Sequence, residues 1–456
     1  MTTPRHAHAV AVALADRIAQ ILEYYQEQAT LLDPYLPELT ALLTTPLLDH
    51  AYAKPKRAAT SRFIPLERAR LIFDAVYCLI KVRGYKTIVR FLSHEPHDLE
   101  PLFAYLQTPG MSWRGAYTLH HAQARLWSLC HIYHHGPRAW LLRQNPVVLA
   151  LLPLLDRVKS VAILRKLILK LMTRVALAAL PPRVAAWRYH RGQRSLNVGP
   201  RPATTAAAVA ATTPALTPTV TEEEAEFTNS AIPDYLEDML GSLLMGLEDE
   251  ATIVRWTCAK GIGHLCNRLE LAMANDAIDA IVALLGASGD TDAAAIAEVN
   301  RTQRFGSETA WHGACLALAE LGRRGLLLPA RLPTLRPLIL RAFRMDLRRG
   351  TRIVGAQVRD AASYVVWAFA RAFAPDVLAP FLLGDVVAQL AVTSLLDRDV
   401  GIRRAASAAF QENTGRQGQI PHGIEIMTLA DFFAVGNRRN CYLHIVPQVV
   451  RFAPYY

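Results

Sequence analysis

Apolar residues recur at three- and four-residue steps over most of this chain, the spacing of amphipathic helices. In the segment from Asp234 to Leu247, Leu236, Met239, Leu240, Leu243, Leu244 and Leu247 keep those steps. Ile232-Pro233 ahead of it suits a helix entry, because a proline near the first turn gives up an N–H that has no helical acceptor anyway. A second helix is predicted to open after Asp249, near Ala251, and to run to about Leu269. Alternating β-branched runs are few, and no Asn-Gly or Asp-Gly hairpin turn occurs. The pattern predicts an all-α protein.

The helix pair repeats. Its second helix opens with a β-branched residue and an arginine, followed by small residues at about four-residue steps. Val254-Arg255 leads Cys258, Ala259 and Ile262; Val358-Arg359 leads Ala361, Ala362 and Val365; Ile402-Arg403 leads Ala405, Ala406, Ala409 and Phe410. Ala310-Trp311 with Ala314 and Leu318 is a degenerate copy without the arginine. Successive copies start 56, 48 and 44 residues apart. The last spacing lies inside the roughly 40–47 residue period of HEAT and armadillo repeats. The longer ones require insertions, and Gly286 to Ser307 and Arg344 to Gly355 read as the loops that supply them.

Each helix pair has one apolar face and must stack on its neighbours. The expected architecture is therefore a HEAT/armadillo-like α-solenoid of stacked antiparallel helix pairs. Asp249 and Asp397 each lie five residues before the β-branched residue. An arginine-aspartate ladder along the inner layer follows, with Arg255, Arg359 and Arg403 in structural roles. Residues 231–456 form the repeat region and residues 1–200 an amino-terminal helical region. Residues 201–230, rich in Ala, Thr and Pro and carrying Glu222, Glu223, Glu224 and Glu226, read as a disordered linker.

Composition sharpens the picture. The chain has 456 residues, 52% of them hydrophobic, enough to bury a core and to exclude a wholly disordered protein. Its formal charge of +11 lies entirely before residue 231, where 27 basic residues meet 16 acidic ones; the remainder holds 23 of each. Between 101 and 221 there are 15 basic residues and one acid, Asp156. Such a block favours an acidic partner. Six scattered cysteines without a C-x-x-C pair point to a reducing compartment. Met1 to Gln20 lacks the order of a secretory signal. Val161 to Leu180 carries Arg165, Lys166, Lys170 and Arg174, so no membrane span is expected.

Candidate chemistry is sparse. There is no G-x-x-x-x-G-K-[ST] loop, no H-E-x-x-H and no G-x-S-x-G. Gly261-Ile262-Gly263 sits inside a helix and serves close packing. His131, His134 and His135 share a helical side, but no cysteine or carboxylate completes a zinc set. No catalytic, cofactor-binding or metal-binding residue is assigned. Three polar strings stand out instead. Phe410 to Gly418 reads as a helix end and surface loop; Asp431 to Arg438 mixes aromatics with a turn; Val184 to Gly192 mixes Trp, Tyr and Arg, residue types enriched in binding hot spots.

These strings resemble one family, the tubulin-specific chaperone D or tubulin-folding cofactor D family. The resemblance rests on blocks in order. They are Lys81 to Thr87, Val184 to Gly192, Val254-Arg255-Trp256 with Ala259 to Gly263, Ala310 to Gly313 and Cys315 to Pro329. Val358 to Ala362, Trp367 to Arg371, Arg403 to Gly418, His422-Gly423-Ile424 and Asp431 to Arg438 follow. It implies a non-enzymatic, cytoplasmic helical-repeat chaperone, associated with microtubules or centrosomes. Such a protein binds β-tubulin after chaperonin release and meets α-tubulin held by cofactor E. With cofactor C it builds or dismantles the αβ heterodimer and stimulates tubulin's GTP hydrolysis. An Arf-like small GTPase is a further partner. Family members are much longer; this chain corresponds to their amino-terminal part and is shortened near 106–126.

Two alternatives stay open. One is a HEAT-repeat scaffold for another acidic partner, nucleic acid or a small GTPase, without chaperone activity, although DNA is not expected. The other is an arginine finger drawn from the pairs Arg323-Arg324 or Arg403-Arg404. The candidate interaction residues are Trp187, Arg188, Tyr189, Arg323, Arg324, Arg403, Arg404, Gln411, Asn413, Arg416, Phe432, Phe433, Asn437 and Arg438.

Overall fold

The computed structural model describes residues 122–191 in part, and then 233–286, 307–349 and 351–456. The linker 201–230, the block at 81–87 and nearly all of 106–126 and 286–307 lie outside the described residues. The chain divides into two compact units, Met1–Ala179 and Leu180–Tyr456.

In the first unit, α1 (Arg138–Leu149), the single turn α2 (Leu154–Arg157) and α3 (Ala162–Ala179) follow one another. Helix α3 is the most apolar stretch of the sequence. It buries Leu164, Leu167, Ile168, Leu171, Met172 and Val175, and Arg165, Lys166, Lys170 and Arg174 fall between these positions. Arg138 donates to the Ala178 and Ala179 carbonyls, both at 2.8 Å, satisfying acceptors that the end of α3 leaves open.

The second unit consists of helix pairs. They are α4 (Tyr235–Met245) with α5 (Thr252–Cys266), and α6 (Leu271–Leu284) with α7 (Glu308–Gly322). Next come α8 (Leu332–Phe343) with α9 (Ala356–Ala372). Last are α10 (Pro375–Leu382) and α11 (Asp385–Leu396) with α12 (Val400–Gln417). Helices α5, α7, α9 and α12 pack on one another in that order, and the first helix of each pair packs on the outside. These are the four predicted second helices. Their starts are set locally: Ser307 Oγ accepts from the Ala310 N–H at 3.2 Å, and an Asp399 carboxylate oxygen accepts from the Gly401 N–H at 2.7 Å.

Small residues make the inner layer tight. Every residue of α7 from Ala310 to Gly322 is buried. A Cβ on Gly313 would stand 2.0 Å from the Leu247 carbonyl oxygen, so only glycine admits that approach. Because α7 is sunk, α5 and α9 meet above it: the Trp256 and Tyr364 rings lie 5.4 Å apart.

The predicted ladder is present. Arg255, Arg359 and Arg403 are all buried. Arg255 donates to the Asp249 and Glu250 carbonyls, at 2.6 and 3.0 Å, to His312 Nδ1 at 2.8 Å and to Gln357. Arg359 donates to Met345 O at 2.7 Å and forks onto the Asp397 carboxylate at 2.7 and 3.3 Å. Arg403 takes the Asp397 and Arg398 carbonyls at 2.9 and 3.3 Å and reaches forward to Val435 O at 2.8 Å and Gly436 O at 3.2 Å. Each guanidinium thus closes the turn before its own helix and clamps the next repeat. The aspartate is not uniform in this scheme. Asp397 lends its carboxylate to Arg359 and its carbonyl to Arg403, whereas Arg255 finds His312 and Gln357 across the degenerate copy.

Burial first, and the Arg255 guanidinium second, push His312 down to about 3, from the ordinary imidazole value of 6.5. Between those two values the unfolded chain binds a proton that the folded one refuses. Stability is therefore lost as pH falls from about 6.5 toward 3, by up to ~1.4 kcal/mol per pH unit. His312→Gln is expected to flatten that dependence. Urea midpoints of both proteins at pH 7 and pH 5 check this, and equal slopes would refute it.

Two sequence expectations are corrected. Arg344 to Gly355 is not simply a loop: β1 (Leu347–Arg349) and β2 (Arg352–Val354) pair antiparallel within it. Gln411 to Gln417 is not a loop either. Helix α12 runs through it and ends at Gly418, whose φ of +67° is the left-handed cap that glycine supplies. Among the described residues no single helix is long and apolar enough to cross a membrane. The bent pair α10–α11 passes on length and composition, with a 69° bend, but it buries Leu378, Phe381, Leu382, Val386, Val387 and Leu390 in the repeat core.

Candidate partner-binding surface

Consecutive inner helices run parallel, so their ends sort into two edges. Asp249, Glu250, Asp360, Asp397 and Asp399 gather at the amino-terminal edge. His264, Arg323, Arg324, Arg371 and Arg416 gather at the carboxy-terminal edge. Each sign suits the helix dipole at its own edge. At the acidic edge burial, and then Asp399, raise the Asp360 carboxyl above its ordinary value.

Between the edges the inner layer presents an aromatic and cationic face. Lys260 Nζ lies 5.3 Å from the Trp256 ring centre. Tyr364 stacks at 5.9 Å on Trp367, whose ring carries the Arg371 guanidinium at 4.8 Å. Arg371 reaches Glu412 of α12 at 3.1 Å, and Arg416 pairs with the same carboxylate. Arg404 lies 4.8 Å over the ring of Phe432, next to Phe433, which is 84% exposed. Exposed cation–π pairs contribute about 0.5–1 kcal/mol each. Trp256, Tyr364 and Trp367 are partly buried, with Lys260 and Arg371 exposed beside them, residue types that contribute strongly when a surface is desolvated.

Beneath the face lies a buried carboxylate. Glu320 accepts from Tyr364 Oη at 2.9 Å and from Arg324, with Arg323 at 3.7 Å. Burial alone would raise it; Arg324, Tyr364 and Arg323 outweigh burial and hold it below the ordinary carboxylate range. Arg324 is spent on this pairing, and Arg323, which also donates to Tyr364 Oη at 3.2 Å, stays exposed.

The segment 184–191, assigned from sequence to the amino-terminal region, packs instead across the second unit. It forms a strap over the carboxy-terminal ends of the inner helices. The Ala185 N–H donates to Asn267 O at 2.8 Å, and Trp187 Nε1 to Leu269 O at 2.9 Å, both just after α5. The Tyr189 N–H donates to Gly325 O at 2.8 Å, after α7. Tyr189 Oη accepts from the Ala374 N–H at 3.2 Å, after α9. Arg191 bridges Ala370 O of α9 at 2.7 Å and Arg416 O of α12 at 3.2 Å. The strap thus satisfies acceptors at four successive helix ends.

The candidate residues therefore divide. Trp187 and Tyr189 are strap anchors, and Arg188 lies between them with Nε donating to His190 Nε2 at 3.4 Å. Arg323, Arg404, Arg416, Phe432 and Phe433 belong to the face or its edge. Gln411 is half-buried and donates to Ser407 Oγ at 3.3 Å. Arg403 and Asn413 are interior: Arg403 is a ladder rung, and Asn413 donates to Ala409 O at 2.7 Å and Val366 O at 3.3 Å. Neither presents a side chain to a partner. Asn437 caps a short turn through the Asn440 N–H at 3.2 Å, and Arg438 lies 5.1 Å over Tyr442. Trp256, Lys260, Tyr364, Trp367 and Arg371 were not singled out as site residues. Their signal was available as an aromatic and a base at i, i+4 on helices whose other faces are small and apolar. Thiol chemistry is disfavoured here, since burial pushes Cys266 and Cys315 up to about 12.

The fold defines a helical-repeat protein whose α5, α7, α9 and α12 pack side by side in one layer. A family model, "Tubulin-specific chaperone D-like, ARM repeats", matches residues 163–424, and a second, "Tubulin-specific chaperone D-like, ARM repeat", matches residues 22–127. The chain belongs to this tubulin-specific chaperone D-like family of ARM-repeat proteins. The "Tubulin-specific chaperone D" of Dictyostelium discoideum is 44% identical over 207 residues, which is 45% of this chain and 13% of that protein. The "Tubulin-folding cofactor D" of Schizosaccharomyces pombe is 31% identical over 226 residues, 49% of this chain and 20% of that protein. The matched stretches are thus a small part of those relatives. Among solved structures, that of Kap121p bound to Pho4p covers 96% of this chain and 49% of its own at 12% identity, with a TM-score of only 0.35.

Proposed function

We propose that this chain is a tubulin-engaging part of a tubulin-folding cofactor. It binds β-tubulin after chaperonin release and helps to assemble or take apart the αβ heterodimer. Membership of the chaperone D-like family over residues 163–424 carries the reading. In this reading cofactors C and E, with α-tubulin and an Arf-like small GTPase, complete the complex in the cytoplasm. Stimulation of tubulin's GTP hydrolysis belongs to that complex and not to the chain alone.

The physical part falls to the inner layer. Its ladder of buried guanidiniums keeps the helices in register, so Trp256, Tyr364 and Trp367 are pre-positioned and little ordering remains to oppose binding. Lys260, Arg323, Arg371, Arg404 and Arg416 would meet an acidic protein surface, speeding encounter and fixing orientation. The test is capture of native αβ-tubulin by the full chain at low and high salt. Capture that weakens with salt but persists fits aromatic contacts within a charged rim. No capture by a monodisperse, folded chain refutes the proposal. RNA binding that collapses with salt would favour a scaffold for nucleic acid instead.

A further inference from the structure

The turn from Asp431 to Gly436 holds two adjacent phenylalanines outward on a firmly fastened backbone. Asp431 Oδ1 accepts from the Phe433 N–H at 2.6 Å and the Ala434 N–H at 2.7 Å, and its carbonyl accepts from the Val435 N–H at 3.0 Å. From below, the buried Arg403 donates to Val435 O at 2.8 Å and Gly436 O at 3.2 Å. Val435 itself is buried in a cluster with Leu395, Ala430, Cys441 and Ile445. The two rings stay outside. Phe432 is 43% and Phe433 84% exposed, edge to face with centres 5.7 Å apart. A ring so exposed gives the fold little of the stabilisation that burial would bring.

Cations flank the pair. Arg404 of α12 lies 4.8 Å over the Phe432 ring, and an added Cβ on Gly436 would stand 3.0 Å from its Nη2. Arg438 and Arg439, both exposed, follow on the helical turn packed against Ala434–Gly436. Among the described residues none of these three arginines forms an ion pair, whereas Arg331, Arg336, Arg398 and Arg416 each find a carboxylate. Arg404 Nε is buried without a hydrogen-bond acceptor among them. Asp431, the one acid between 431 and 442, is engaged by backbone N–H groups.

We propose that this turn anchors the tubulin partner: Phe433 enters an apolar pocket whose rim supplies carboxylates to Arg404, Arg438 and Arg439. The inference rests on the tubulin reading for the partner and narrows the contact to one pocket of stated chemistry. Charge and shape select this occupant. The unpaired cations call for acidic groups that this surface does not hold, the complementarity of a protein interface. A fixed aromatic ring beside arginines matches the anchors on which binding free energy concentrates, and little ordering is left to oppose association. A second copy set symmetrically on this turn would bring arginines against arginines. A membrane-surface segment lays down a whole apolar helix face, and here two rings project from a short turn. Single-stranded nucleic acid uses a row of stacking rings, and one face of Phe432 is already taken by Arg404.

The experiment is biolayer interferometry of the full chain with native αβ-tubulin at low and high salt. Phe433→Ala, with unchanged helical circular dichroism and thermal midpoint, is expected to weaken binding about tenfold at both salt concentrations, because the lost contact is apolar. Phe433→Leu is expected to recover part of that loss. Arg438→Glu/Arg439→Glu is expected to weaken binding at least about tenfold at low salt and much less at high salt. Capture by the unaltered chain with equal affinity for Phe433→Ala overturns this inference and leaves the tubulin reading standing. No capture by the unaltered chain overturns both. Phosphatidylserine vesicles, a single-stranded oligothymidine and sedimentation of the chain alone are the comparisons. Vesicle binding, oligothymidine binding or dimerisation that depends on Phe433, with tubulin affinity unmoved by Phe433→Ala, would overturn the inference and assign the turn to that occupant.

Discussion

Roughly 3–5 kcal/mol of unfolding free energy is expected to be lost when Arg359 is replaced by alanine. The guanidinium and its partner Asp397 are each 7% exposed. The truncation leaves the carboxylate buried with only the Asp399 N–H at 2.9 Å as a donor, and at the same time strips the Met345 carbonyl of its donor. An unpaired buried charge costs far more than the net contribution of the pair. Arg359→Lys is expected to recover only part of the loss. A single ammonium on a flexible stem does not reproduce two parallel bonds to Asp397 and a third to Met345. Urea unfolding of the full chain at neutral pH measures both variants. A shift below about 1 kcal/mol for the alanine variant would show that the rung is not structural.

A loss of about 3 kcal/mol or more is expected for Gly313→Ala, although it adds a single methyl group to a helix. The new Cβ would lie 2.0 Å from Leu247 O and 2.7 Å from its carbonyl carbon. Those are backbone atoms of the turn Gly246–Glu248 linking α4 to α5, so no side chain can rotate out of the way. The contact opens only if α7 moves off the first repeat. Gly415→Ala in α12 is the matched control, because nothing lies within 4 Å of its added Cβ. Helix propensity alone then acts, and that variant is expected to gain about 0.5–1 kcal/mol. Thermal or urea midpoints moving in the same direction for both would contradict the packing account.

The inner layer was legible because its signals are local. Val254-Arg255, Val358-Arg359 and Ile402-Arg403 mark three inner helices, and the small residues behind them mark the close contacts. What each arginine grips was only half legible. Asp397 was foreseeable from its spacing, but His312 and Gln357 depend on how the degenerate copy at Ala310-Trp311 is sunk between α5 and α9. The strap was beyond reach, because Trp187 meets Leu269 82 residues on and Arg191 meets Arg416 225 residues on. No periodicity encodes contacts between an irregular segment and helix ends. The Arg-rich insertion looked like a loop because three-residue strands carry too little alternation to register. The string at Gln411 to Gln417 looked like one because Gly415 resembles a helix stop, and the true stop, Gly418, stands three residues later. Asn413 read as a contact residue on composition, but its place one turn after Ala409 puts it inside the layer.

The aromatic-cationic face is the proposed place of tubulin contact. The most direct measurement is the affinity of the full chain for native αβ-tubulin, with and without Lys260→Glu and Arg371→Glu. Both side chains are exposed, so the helices are expected to stay intact by circular dichroism. Capture by the unaltered chain is expected, with at least about tenfold weaker binding by the double variant and a gap that narrows at high salt. Equal affinity for the two proteins, at low and at high salt, would contradict it.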